Sequence, residues 1–285
     1  MKTFLLLLLS SVYSFAAAGP ADSVIRKPDI PYSNLDSART RLDLYLPAAP
    51  GISRPGVLLV HGGGWLGGDR SQWAALASFL AKMGFVCASA GYRLSPEHSL
   101  EEIVADVRQA MDWFKSHAVE YGMDSRRVGA VGSSAGGHLV ALLATIQPGD
   151  RLGDNDNRLQ FDTRPAAMAC YNPVLDFLDE PLIWPHQLLL FHGMPETLSE
   201  DYHKFSPARR VTGVEPPFLF LYGDRDILTP EQKSRAMLTR LAAYGTSVEV
   251  AFFHRMEHGF GYRLESPEQQ RAARVVAEFF ERWLR

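Results

Sequence analysis

Short apolar runs alternate along this chain with longer stretches whose apolar positions recur every three to four residues. The runs fall at 42–46, 57–61, 85–90, 127–132, 166–171, 218–222 and 248–253. Several are apolar at every position, the pattern of parallel strands covered on both faces. Helical periodicity marks 71–83, 100–121, 135–146, 231–244 and 267–284. In the second of these, Ile103, Val107, Ala110, Met111 and Phe114 share one face. The fourth follows a Thr229-Pro230 start signal and stops at Gly245. Strands alternating with helices predict an α/β fold, a mostly parallel doubly wound sheet. Residues 176–217 break the alternation. They are rich in Pro, His and aromatic residues and show no period, so a cap-like insertion over the sheet is expected there.

Composition narrows the class of function. The 285 residues are 46% hydrophobic and 21% charged, the balance of a globular protein. The formal net charge is −3 and no block of like charge occurs. A nucleic-acid footprint and a polybasic membrane patch are therefore not expected.

The N-terminus has its own character. Lys2, the apolar run 4–9 and the small residues Ala16-Ala17-Ala18 predict a signal peptide, residues 1–18, cleaved after Ala18. Its apolar part is interrupted by serines and falls short of the roughly 20 residues a bilayer span needs. The expectation is a secreted or periplasmic protein whose mature part, 19–285, is one domain. Cys87 and Cys170 are the two cysteines, and both sit in strand-like apolar runs, the setting of buried free thiols.

Four short stretches carry candidate chemistry. In "VGSSAGGHL", Ser134 stands between Gly132 and Gly136, where an apolar strand turns into a helix beginning at Ala135. The glycines permit a sharp turn, and the helix start turns its free amides on whatever reacts at the serine. A serine hydroxyl is a poor nucleophile and requires a base, an acid to hold that base, and donors for an oxyanion. "VLLVHGGGW" supplies a glycine turn after a strand. With the amide of Ala135, those of Gly63 and Gly64 are the expected oxyanion donors, and His61 is expected to brace the loop. "PPFLFLYGDRDILTP" places Asp224 and Asp226 after a strand, and Asp226 is the expected acid. "VEVAFFHRMEHGFG" carries His254 and His258 after another strand. His258, followed by Gly259, is the expected base, while His254 continues the strand. The two histidines are four apart, but Gly259 and the preceding strand argue against a helical metal pair, and no third ligand stands out. No metal or cofactor is expected. The acidic loop 153–162 lacks the central Gly and terminal Glu of an EF-hand and reads as a solvated loop.

Ser, Asp and His follow in the order found in α/β-hydrolases. Through "LDLYLP", "HGGGW", "GYRLSPEH", "DVRQAMDWF", "GSSAGGHLVALLA", "TRP", "FSPARRV", "PPFLFLYGDRDILTP" and "HGF", nearly the whole mature chain resembles that superfamily's serine esterases. It is similar to the hormone-sensitive-lipase-like carboxylesterases and especially to the bacterial feruloyl- and acetylxylan-esterase-like branch. Position 133 is serine where many lipase-like relatives carry aspartate. The resemblance implies Ser134, Asp226 and His258 as catalytic residues and Gly63 and Gly64 as oxyanion donors. It also implies a small-molecule or polysaccharide-linked ester substrate, acetyl or feruloyl. A general short-chain carboxylesterase is the nearest alternative, with an arylformamidase or amidase next. A non-catalytic binding protein would be expected to lack one of the three residues.

Overall fold

The structure is a computed structural model that describes residues 23–285 apart from 36, 50, 148, 154–158 and 179–184. The signal-peptide expectation at 1–18 and most of the acidic half of loop 153–162 lie outside the described residues.

Eight strands form one sheet: β1 (Val24–Pro31), β2 (Arg41–Pro47), β3 (Arg54–Val60), β4 (Val86–Ala90), β5 (Met123–Ser133), β6 (Met168–Tyr171), β7 (Phe218–Gly223) and β8 (Val248–Phe253). Their order is β1-β2-β4-β3-β5-β6-β7-β8. The pairs β1–β2 and β2–β4 are antiparallel, and every pair from β4 through β8 is parallel. Alternation along β3 explains its unbroken apolar run. Leu58 and Val60 join one core cluster, and Val57 and Leu59 join the other. Helices α1 (Ala74–Lys82) and α7 (Pro267–Leu284) cover the second face, and α2 (Leu100–Ser116) and α3 (Ala135–Ala144) cover the first. Both long helices start at capping boxes, Ser99 with Glu102 and Ser266 with Gln269.

Three differences from the sequence expectation have physical reasons. Strand β1 gives no hydrophobic signal because it is an edge strand exposed at most of its positions. A web of ion pairs holds it instead: Asp43, buried in β2, takes Arg26 at 2.7 Å and Arg70 at 2.9 Å, and Arg70 also reaches Asp29. Helix α2 ends at Ser116 rather than 121. The Met123 amide bonds back to the Ala118 carbonyl, and Gly122 turns the chain at φ 65°. The stretch expected to be helical from 231 opens as a 3-10 turn, Glu231–Ser234, before α6 (Arg235–Ala243).

The described part of the 176–217 insertion carries α4 (Pro185–Phe191) and α5 (Ser199–Lys204). Phe177, Tyr202 and Phe205 are buried in the main core, and the Phe191 and Tyr202 rings stack at 4.0 Å. The insertion therefore shares the core behind α3. The loops that follow β3, β5, β7 and β8 all open at the carboxyl ends of parallel strands, the edge where open α/β sheets bind ligands.

Candidate active site

Ser134 occupies a sharp bend between β5 and α3, at φ 55° and ψ −121°. That backbone region is costly for a residue with a Cβ and persists only where the surroundings enforce it. Here they do. The Ser134 amide donates to the Tyr171 carbonyl at 2.9 Å, and its own carbonyl accepts the His138 amide at 2.9 Å. Gly132 and Gly136 are required by space. A Cβ on Gly132 would lie 2.2 Å from the Gly136 carbonyl oxygen, and one on Gly136 would lie 2.1 Å from that of Val60. The spacing of the two glycines around the serine is thus a packing condition for strand, turn and helix to meet. Ala135 is the first residue of α3, so its amide has no acceptor within the helix.

The His61–Trp65 loop continues β3 and turns back beneath the serine. Gly63 at φ 116°, Gly64 at φ 62° and Trp65 at φ 61° all have left-handed backbones. The Gly63 carbonyl accepts the amides of Leu66 and Gly67. His61 braces the loop from inside the core. Its ring stacks on Tyr92 at 4.2 Å, and its Nδ1 meets the Gly62 carbonyl at 2.8 Å. Burial pushes its pKa down to about 4, so the ring is neutral and donates from Nδ1. Trp65 donates its indole N–H to His138 Nδ1 at 3.3 Å, and His138 Nε2 donates to the Phe205 carbonyl at 2.7 Å. Burial lowers His138 to about 4 as well. This chain of contacts ties the glycine loop, α3 and the insertion together.

Asp226 and His258 come from the loops after β7 and β8. The Asp226 carboxylate is closed to solvent and accepts His258 Nδ1 at 2.7 Å. Its other oxygen takes the amides of Leu228 at 2.7 Å and Thr229 at 3.0 Å. Burial would raise the Asp226 pKa, but the hydrogen bonds from His258 and these amides outweigh it and hold the carboxyl below its ordinary value. Thr229 adds a second hold: its hydroxyl donates to the Asn172 carbonyl at 2.9 Å, leaving its oxygen 3.2 Å from His258 Nδ1. Asp224 does not join this group. It pairs with His254 at 2.7 Å in the open and accepts the Arg255 amide at 2.6 Å. Each histidine therefore has its own aspartate, which accounts for their four-residue spacing without a metal.

Ser134, His258, Gly63 and Gly64 line one cavity of about 760 Å³. Its wall includes apolar Trp65, Val174, Met256 and Phe260, and polar Gln72 and Gln269. From α4, Gln187 reaches the cavity, Leu190 is buried in the core, and Leu188 and Leu189 face outward. Cys87 and Cys170 are buried free thiols, and neither lines the cavity. Thr229, Asn172 and Tyr262 are site residues that the sequence reading did not single out. Only Thr229 had a sequence signal, as the residue that follows the aspartate loop and opens the next helix.

Known proteins resemble this chain in sequence and in fold. Among similar proteins, the carboxylic ester hydrolase LipM of Mycobacterium tuberculosis is 34% identical over 66% of this chain and 44% of its own length. The esterase LipQ of the same organism is 32% identical over 81% of this chain and 56% of its own. The chain thus spans about half the length of these curated relatives. A solved thermophilic esterase of Thermogutta terrifontis, bound to butyrate, superposes with a TM-score of 0.74 at 26% identity, covering 92% of this chain and 95% of that one. The BD-FAE family profile matches residues 42–241. With the sheet order and the loops described above, the chain belongs to the BD-FAE family of α/β-hydrolase serine esterases.

Proposed function

We propose that this chain hydrolyses carboxylic esters through an acyl-enzyme formed on Ser134. His258 removes the Ser134 proton as the hydroxyl oxygen attacks the ester carbonyl. The resulting oxyanion is stabilised by the amides of Gly63, Gly64 and Ala135. His258 then gives the proton to the departing alcohol, and the C–O ester bond breaks. A water molecule, deprotonated by His258, releases the acid and returns the serine. Asp226 keeps the His258 proton on Nδ1, so that Nε2 is free to act, and stabilises the imidazolium. The observation that carries this reading is the solvent-closed Asp226 holding His258 at 2.7 Å on the cavity that also contains the strained Ser134.

The cavity and the family support a finer reading of the substrate. A space of about 760 Å³ with an apolar part and a polar part that carries Gln72, Gln187, Gln269, Arg255, Glu257 and Arg263 suits a short acyl or feruloyl group joined to a hydroxyl-rich alcohol. We therefore favour acetyl or feruloyl esters of plant polysaccharide, with general short-chain esters as the second reading. The butyrate in the thermophilic relative favours that second reading. The leader-like residues 1–18 support action outside the cytoplasm. The test compares acetate and ferulate release from acetylated, feruloylated arabinoxylan with hydrolysis of p-nitrophenyl acetate and butyrate, using Ser134→Ala as the blank. Acid release from the polymer supports the polysaccharide reading. Turnover of the nitrophenyl esters alone reduces the claim to a short-chain esterase, and no Ser134-dependent turnover at all overturns ester hydrolysis.

A further inference from the structure

Tyr262 lies in a 3-10 turn, Phe260–Tyr262, just past His258, outside every motif that marks the site in sequence. Its hydroxyl accepts the amide of Gly62 at 2.6 Å, across 200 positions of chain. The ring packs on Trp73 with centroids 4.6 Å apart and lines the same cavity as Ser134. Gly62 shows how close these groups are. A Cβ placed there would stand 2.8 Å from the Tyr262 oxygen and 3.1 Å from the Ser134 Cβ. The phenol oxygen and the Ser134 side chain thus both border Gly62.

The consequence lies in the next peptide. Gly62 is held at its amide by Tyr262 and at its carbonyl by His61 Nδ1. Tyr262 thereby fixes the His61–Gly62 peptide plane and His61 the Gly62–Gly63 plane, so the φ and ψ of Gly62, which join the two planes, are set. In a trans peptide the N–H points opposite to the C=O. With the Gly62 carbonyl turned to the His61 ring, the Gly63 amide points the other way, and Gly63 lines the cavity. A glycine-rich turn has no side chains to fix its planes, so an external clamp decides whether its amides are preset or must reorganise during reaction.

We propose that Tyr262 is a positioning residue. Its hydroxyl clamps the His61–Gly62 peptide to the His258 loop, fixes the backbone of Gly62, and so presets the Gly63 amide for the oxyanion. This rests on the ester-hydrolysis reading, and the experiment separates the two. Tyr262→Phe removes one oxygen and leaves the ring against Trp73. The variant is expected to lower kcat roughly 10–100-fold, a fraction of what deletion of a direct oxyanion donor costs, with KM within about threefold. Affinity for a trifluoromethyl ketone, whose adduct with Ser134 carries the oxyanion, is expected to fall by the same factor as kcat/KM. An unchanged kcat in a folded Tyr262→Phe protein overturns the clamp, as does a kcat loss with unchanged ketone affinity. If Tyr262→Phe does not fold, 4-fluorophenylalanine at 262 keeps the shape and replaces the hydroxyl with a very weak acceptor. A several-fold lower kcat then supports the clamp, and wild-type kcat overturns it. Wild-type protein that turns over no ester overturns the underlying reading and the clamp with it, whereas normal Ser134-dependent turnover beside an unaffected variant overturns the clamp alone.

Discussion

Asp224 and Asp226 stand two residues apart and hold different histidines at the same 2.7 Å, yet their surroundings differ sharply. Asp226 is closed to solvent and anchored by two backbone amides, while Asp224 is exposed. Only the first can act on His258. Asp226→Asn is expected to lower kcat by about 10⁴-fold, because the amide no longer enforces the Nδ1–H tautomer. Asp224→Asn loosens a surface pair and one cap on the Arg255 amide, and is expected to cost less than about tenfold. Steady-state rates on p-nitrophenyl acetate decide the matter, and equal losses would contradict the assignment.

The left-handed Ser134 backbone sets function against stability. Replacing Ser134 by Ala removes the nucleophile and keeps the strain. Replacing it by Gly removes both. We expect each variant to lose essentially all turnover, and Ser134→Gly to exceed Ser134→Ala in unfolding free energy by about 1–2 kcal/mol, the cost of such a backbone less the flexibility glycine adds to the unfolded chain. Urea titrations of the two proteins measure it, and a less stable glycine variant would show that the bend is not strained.

Gly136 is expected to tolerate no side chain. Its Cβ would sit 2.1 Å from one backbone oxygen and 2.4 Å from another, those of Val60 and His61. Gly136→Ala therefore has to push α3 away from β3, at a cost expected to exceed about 3 kcal/mol. A Gly149→Ala control meets no atom within 4 Å but sits at φ 83°, so it reports backbone strain alone. Thermal melts of the pair separate the two effects.

Acid stability should fall early and for a specific reason. His61 and His138 are buried neutral with values near 4, against an ordinary 6.5. Between those pH values the unfolded chain binds protons that the native chain refuses, so stability declines as pH falls. Well inside the window the slope is about 1.4 kcal/mol per pH unit for each ring. Asp226 has a lowered folded value, so its contribution is present above the ordinary carboxyl range and is lost only at lower pH. Lys115, pushed down to about 8 by burial, acts at the other end: stability rises as pH climbs from about 8 toward 10.5. Urea midpoints from pH 4.5 to 10 measure both limbs, and a flat acid limb would mean that the two rings are not buried neutral.

Much of this was legible in the sequence because it depends on short-range conditions. Ser134 was readable from the glycines at 132 and 136, which strand, turn and helix all require. Asp226 and His258 were readable from their places just after apolar strands. Strand β1 was not, because Arg26, Lys27 and Asp29 advertise solvent while the strand is held by pairing with β2 and by buried Asp43. Tyr262 and Asn172 were silent for a related reason. Their partners, Gly62 and Thr229, are remote in the chain, and no local period records a contact 200 residues long.

The link from Trp65 through His138 to the insertion ends on a main-chain oxygen, that of Phe205. A carbonyl is the same whatever side chain accompanies it. The polar end of the link therefore makes no demand on the identity of residue 205, only on the path of its backbone. Gln187, which the same insertion brings to the cavity, can therefore change its side chain without disturbing the tether that steadies the reactive turn. For a protein engineer this is one adjustable wall position on a fixed frame.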